Sequence, residues 1–115
     1  TNAGHNAIMV LHKDGSMDFL ESLDTIVGIF KDGKYTKRTI DIKHGDRIIL
    51  YTDGFTEAKN EQGILLGNEL FFNFIKSKYA LKVEDLCKSI VEHLYAYTGS
   101  ATVQDDRTLL ITEIV

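Results

Sequence analysis

An α+β layered domain is the architecture this sequence predicts, and three observations predict it. Short β-favouring runs separated by Asp-Gly and Gly-Asp turns fill the first half of the chain. Apolar residues at helical spacing follow after Gly54, and a β-like run closes the chain. Strands grouped first and helices later indicate an α+β arrangement rather than a βαβ repeat. The closing run must then return to the sheet that the early strands began.

The elements follow in order. Ala7–Leu11 is a short apolar run with β-branched members, and Asp14-Gly15 after it is a hairpin signal, because glycine tolerates the positive φ of a tight turn. Met17–Leu20 returns as its partner. A second pattern covers Thr25–Phe30, turns at Asp32-Gly33 and continues as Tyr35–Ile42, where Tyr35, Ile40 and Ile42 suggest a half-buried strand. His44-Gly45-Asp46 marks another turn, and Ile48–Tyr51 is the most β-favouring run of all. Leu70, Phe71, Phe74 and Ile75 share one face of a predicted helix. Val83, Leu86, Cys87, Ile90, Val91, Leu94 and Tyr95 do so on a longer one, which Gly99 stops. Thr108–Val115 is the final strand. The expectation is about five strands, two helices and a last strand.

Composition removes several function classes. The 115 residues fit one domain, and the net charge of −4, from 13 basic and 17 acidic residues, argues against a nucleic-acid or anionic-membrane binder. The basic residues are scattered as well. The single cysteine, Cys87, excludes an internal disulfide and a cysteine-based zinc site, and its apolar neighbours make it a small core residue. One cysteine suits a reducing compartment without proving one, and a cytoplasmic location is the expectation. No stretch reaches the roughly 20 apolar residues of a membrane span. The chain opens on Thr1, inside a patterned segment, and so reads as a piece of a larger protein that other domains could tether to a membrane.

Two places could carry chemistry. In Tyr51-Thr52-Asp53-Gly54-Phe55-Thr56-Glu57-Ala58 a buried strand runs into an aspartate and then a glycine where the helical region begins. A strand end is a rigid mount for a carboxylate, and the glycine lets the backbone turn beside it. In Gln104-Asp105-Asp106-Arg107-Thr108, adjacent aspartates precede the last strand. Two carboxylate-bearing strand ends suit a hard cation, which takes oxygen ligands. The bland readings stand beside this: Asp-Gly after a strand is commonly only a turn, and Asp105-Asp106 could merely solvate a loop.

The string Asn2-Ala3-Gly4-His5, the segment Gly28-Ile29-Phe30 with Tyr35, the run Gly45 to Ala58 and the stretch Asp105 to Leu110 occur in family order. Together they resemble the SpoIIE-like/RsbU-like branch of the bacterial PPM phosphatases, relatives of the protein phosphatase 2C type. The resemblance covers essentially the whole chain, as the C-terminal portion of the domain. It implies a β-sandwich flanked by helices, in αββα layers, with a binuclear Mn²⁺ or Mg²⁺ centre at one end. Asp53 and Asp105 match the family's metal ligands. By the same resemblance Asp106, where relatives carry Asp or Asn, is expected to support the site without binding metal, as is Gly54. Glu57, one helical turn beyond Asp53, either orients a water at the metals or is a helix N-terminal charge.

The family's metal-bridging aspartate belongs to an Asp-Gly motif N-terminal to everything here, so this sequence holds part of the site. His5 is expected to be a strand-edge residue with a structural hydrogen bond rather than a ligand. His12, His44 and His93 are expected to face solvent. The resemblance implies hydrolysis of phosphoserine or phosphothreonine on a regulatory protein such as an anti-anti-sigma factor, by water activated between two cations. No protein nucleophile is needed. The 115 residues alone are expected to be inactive, and an unpaired sheet edge makes a homodimer an option. The alternative reading is a non-catalytic phosphoprotein-binding or dimerising module. No nucleic acid or direct membrane contact is expected.

Overall fold

The computed structural model describes residues Thr1–Val115. Strands β1 (Ile8–Leu11), β2 (Met17–Leu20) and β3 (Arg47–Tyr51) come first, then helices α1 (Gly67–Ser77) and α2 (Val83–Thr98), then strand β4 (Leu109–Glu113). They form one antiparallel sheet in the order β2-β1-β3-β4. The closing strand does return to the sheet, pairing Tyr51 with Leu109 and Arg47 with Glu113.

The β1–β2 hairpin forms as its turn residues dictate. Gly15 takes φ 84°, a value that β-branched or bulky residues avoid, and its bare Cα lies against the Tyr79 ring. The register sets Phe19 beside Met9, Met9 beside Ile49, and Ile49 beside Ile111. Alternation along each strand therefore turns one set of side chains to one face. Met9, Leu11, Ile49 and Tyr51 of that set are buried with Phe71 and Ile75 of α1 and Leu86, Ile90 and Leu94 of α2. Each such side chain contributes about 1.5–3 kcal/mol through the area it removes from water. Phe71 stands at the centre, with ring centroids 5.1 Å from Tyr51 and 5.6 Å from Phe55.

Both helices bury narrower stripes than their sequence pattern implies. Leu70 and Tyr95 are exposed, and Cys87 is half-buried beside the buried Leu86. Glu84 and Asp85 lie in the first turn of α2, where acidic residues favour the helix dipole, and the Gly99 N–H closes the helix on the Tyr95 carbonyl at 3.0 Å.

The opposite sheet face carries Ile8, Ile48, Leu50 and Leu110, the last 55% exposed. The chain thus supplies one sheet of the expected sandwich, with helices over one face.

Two expected strands do not form. Thr25–Phe30 and Tyr35–Ile42 are irregular, although the Asp32-Gly33 turn is present. Ile26, Val27, Ile29, Phe30, Tyr35 and Ile42 are all exposed. A strand needs a partner ladder for its backbone groups and a core for its side chains, and this segment has neither. The string Asn2 to His5 likewise precedes β1 rather than belonging to a strand.

Candidate metal and phosphate site

The site is built where β3 and β4 end together. Beyond the Tyr51–Leu109 pair, the Thr52 N–H donates to the Thr108 carbonyl at 3.1 Å, and the Thr108 N–H donates to Thr52 Oγ1 at 2.9 Å. The same hydroxyl donates to the Asp106 carbonyl at 3.0 Å. One threonine thus stitches the segment carrying Asp53 to the segment carrying Asp105 and Asp106. Gly54 completes the approach: a Cβ there would collide with the Asp106 carbonyl and press on the Arg107 side chain, so only glycine fits. This close approach is the physical reason for glycine after Asp53, since its φ is not positive.

Past Asp53 the chain coils into hydrogen-bonded turns. The Glu57 N–H donates to the Asp53 carbonyl at 2.7 Å, and Phe55, Thr56 and Ala58 are buried beneath. Glu57 does stand one turn beyond Asp53. It is not at a helix N-terminus, because Lys59 and Leu65 form a bridge first and α1 begins only at Gly67. The helix-dipole reading of Glu57 is therefore wrong, since no helix starts there.

A cleft of about 250 Å³ opens beside this junction, and Gly54, Glu57, Lys59, Gln104, Asp105 and Arg107 line it. Asp53 and Asp106 are exposed at its margin but do not line it. Asp105 accepts the Asp106 N–H at 2.7 Å, which holds its carboxylate close to the backbone. Asp53, Glu57 and Asp105 take part in no ion pair, so their oxygens are not neutralised by a neighbouring cation. Oxygen donors of this kind suit Mg²⁺ or Mn²⁺. Their number does not complete a cage, because no group of three His, Cys, Asp or Glu side chains in the chain is placed to hold a metal ion. The donor chemistry fits a divalent cation, and the donor count is partial.

The cleft also holds residues the motif reading did not single out. Lys59 and Arg107 bring positive charge to the cleft that Glu57 and Asp105 also line. Arg107 was legible as part of the Asp105-Asp106-Arg107 string, but residue type alone does not tell a surface arginine from one facing a site.

The histidines divide differently from expectation. His5 is exposed and has its local hydrogen bond, its ring Nδ1 lying 3.0 Å from the Asn6 carbonyl, though it is not on a strand. His44 is exposed as expected. His12 is not solvent-facing: its ring nitrogens contact Asp46 at 2.9 Å and Asp18 at 3.1 Å. His93 is also partly covered, stacked on Phe74 with centroids 3.8 Å apart, and burial lowers its pKa, helped by the charge of Lys78.

The family model for "Stage II sporulation protein E (SpoIIE)" matches residues 1–115. Among curated proteins, the chain is 27% identical over 109 residues to Protein IcfG of Synechocystis sp., covering 95% of this chain and 17% of that protein. It is 28% identical over 111 residues to Phosphoserine phosphatase RsbU of Bacillus subtilis, covering 96% of this chain and 32% of that one. The chain thus spans a third or less of these relatives.

Among solved structures, the SiaA-PP2C domain of Pseudomonas aeruginosa superposes with a TM-score of 0.80 at 22% identity, over 95% of this chain and 43% of that one. The RsbU and RsbW domains of Rv1364c from Mycobacterium tuberculosis give 0.77 at 26% identity, over 97% and 30%. The manganese-presoaked phosphatase domain of SpoIIE from Bacillus subtilis gives 0.64 at 18%, over 97% and 48%. The strand-end carboxylates, the sheet with two helices and the full-length family match converge: the chain belongs to the SpoIIE family and has the fold of part of a PP2C-type phosphatase domain.

Proposed function

We propose that this chain is the C-terminal portion of a metal-dependent phosphoprotein phosphatase domain, in which Asp53 and Asp105 are ligands of Mn²⁺ or Mg²⁺. The observation that carries this reading is the stitched junction. Thr52 ties the two carboxylate-bearing strand ends together, and Gly54 leaves room for the Asp106 backbone. A divalent pair, when bound, supplies the Lewis acidity that makes water a nucleophile at neutral pH and offsets charge on phosphoryl oxygens. The chain's own residues do the positioning. The Thr52 bonds hold the two aspartate-bearing segments together, the Asp106 N–H holds the Asp105 carboxylate, and Glu57, lining the cleft, can accept a hydrogen bond from water there. The substrate class is phosphoserine or phosphothreonine on a regulatory protein such as an anti-anti-sigma factor. The name of the relative RsbU, a phosphoserine phosphatase, supports the phosphoserine half of that reading.

The deciding measurement is Mn²⁺-dependent hydrolysis of a phosphoserine peptide by the full-length protein and its Asp53→Asn variant. Loss of a metal ligand should lower turnover about a hundredfold or more and leave the melting temperature close to wild type, since Asp53 is exposed. Undiminished turnover would sink the assignment. A full-length protein that binds the peptide but never hydrolyses it would favour the non-catalytic binding module instead. The 115-residue chain alone should show no turnover of a small phosphate ester, because its own carboxylates do not form a complete cage. Robust Mn²⁺-dependent turnover by that chain would contradict the two-aspartate reading.

A further inference from the structure

Two arginines flank the paired strands β3 and β4, and their situations are opposite. Arg47 is paired: its Nε donates to Glu113 at 2.9 Å and an Nη donates to the Tyr79 carbonyl at 2.8 Å. Arg107 Nε is buried and has no hydrogen-bond partner, the one buried side-chain polar atom in the chain of which this is true. Arg107 also forms no ion pair, although Glu57 and Asp105 line the same cleft. A buried donor without a partner carries a desolvation cost that is normally avoided. Its placement is not slack, for its stem lies against Gly54, at the tightest backbone approach in the site.

We propose that Arg107 is the phosphoryl-binding residue of this cleft, its guanidinium taking the oxygens of a phosphorylated side chain beside the Asp53 and Asp105 carboxylates. The chemistry favours this occupant over others. A guanidinium is a planar fork that matches two oxygens of a phosphate, and it stays charged at any working pH. Lys59 adds a second positive group to the same cleft. A carboxylate ligand would bring one charge and two oxygens to Arg107 and Lys59, where a phosphoryl group brings up to two charges and three oxygens. The cleft therefore brings together carboxylates suited to a metal and cationic groups suited to the anion that the metal would polarise. This inference rests on the phosphatase reading of the site, and it concerns a residue that binds rather than one that supplies a metal ligand.

The test is equilibrium binding of inorganic phosphate to the full-length protein in the presence of Mn²⁺, read by calorimetry, which needs no turnover. Arg107→Gln keeps the stem over Gly54 and removes the charge. It should weaken phosphate binding about tenfold to a hundredfold, the range for losing charged hydrogen bonds, with Mn²⁺ affinity unchanged. Arg107→Lys restores part of the affinity, as a point charge without the fork. A phosphoserine peptide should compete with phosphate, and Arg107→Gln should raise its KM more than it lowers kcat.

Phosphate affinity unchanged in Arg107→Gln, Mn²⁺ affinity falling by the same factor, a peptide that fails to compete, or a wild-type protein that binds no phosphate would each overturn the proposal. The two readings fail separately. Arg107-dependent phosphate binding without any turnover removes the phosphatase and keeps the anion site, whereas turnover indifferent to Arg107 does the reverse.

Discussion

Strand β3 has an aspartate beyond each end, and the two have opposite fates. Asp46, just before the strand, is 2% exposed, and every bond around it is made. It accepts the Lys43 N–H at 2.8 Å, the Lys13 N–H at 3.1 Å and a contact from His12 Nδ1 at 2.9 Å. Asp53, two residues past the strand, is exposed, and its side chain makes no hydrogen bond or ion pair with the chain. The sequence signatures are nearly mirror images, Gly45-Asp46 and Asp53-Gly54. A carboxylate whose lone pairs are filled by backbone donors holds loops together. A carboxylate kept unpaired, at a junction that only a glycine can close, is free for an external ligand. The charge alone separates neither case; the partners do.

The largest effect on stability should come from breaking the buried end. Asp46→Asn removes the charge that two backbone N–H groups and His12 surround, and it should lower the melting temperature by many degrees. On the proposed phosphatase reading, phosphopeptide turnover by the full-length molecules that remain folded should persist. The Asp53→Asn variant should show the reverse pattern, and identical melting curves for Asp46→Asn and wild type would erase the contrast.

A smaller effect is the pH dependence of the same cluster. The hydrogen bond to Asp46, then that to Asp18, raises His12 above its ordinary 6.5. The Lys43 N–H, then His12, lowers Asp46 below its ordinary 3.8. A raised histidine contributes stability that is complete below 6.5 and is lost as pH climbs through its folded pKa. A lowered aspartate contributes stability that is complete above 3.8 and is lost as pH falls through its folded pKa. The cluster should hold best between those values. Lys13, Lys43, His44, Asp14 and Asp41 line the same recess and modulate the slope, so the comparison must be made against a variant. Melting temperatures of wild type and His12→Gln from pH 5 to 9 should converge as pH rises, because only the wild type loses its His12 contribution. Parallel curves would show that His12 does not titrate in this range.

Much of the architecture was legible in particular residues. The hairpin at Asp14-Gly15, the run Ile48–Tyr51, the helical stripes through Phe71 and Leu86 and the closing strand all form where their patterns put them, because each has a partner to pair with or a core to face. The Thr25–Ile42 region carries similarly apolar residues, and its pattern misled because a strand is a property of a pair. His12 looked unpartnered since Asp18 and Asp46 are six and 34 positions away along the chain. Spacing rules capture neighbours on one element, not groups that a sheet brings together. Glu57 and Asp105 were singled out by residue type and motif, yet their sharing a cleft with Lys59 and Arg107 was not foreseeable from either string.

Local patterning and ordered motifs were enough to determine the α+β class, the family and the strand-end position of Asp53, since these depend on contacts between near neighbours and on residue identity. Tertiary structure alone decided which aspartate is spent on structure and which stays open, and that Arg107 Nε stands without a partner beside the cleft that Glu57 and Asp105 line. Burial and hydrogen-bond satisfaction are set by residues distant in the chain, and those meet only when β1, β3 and β4 pair.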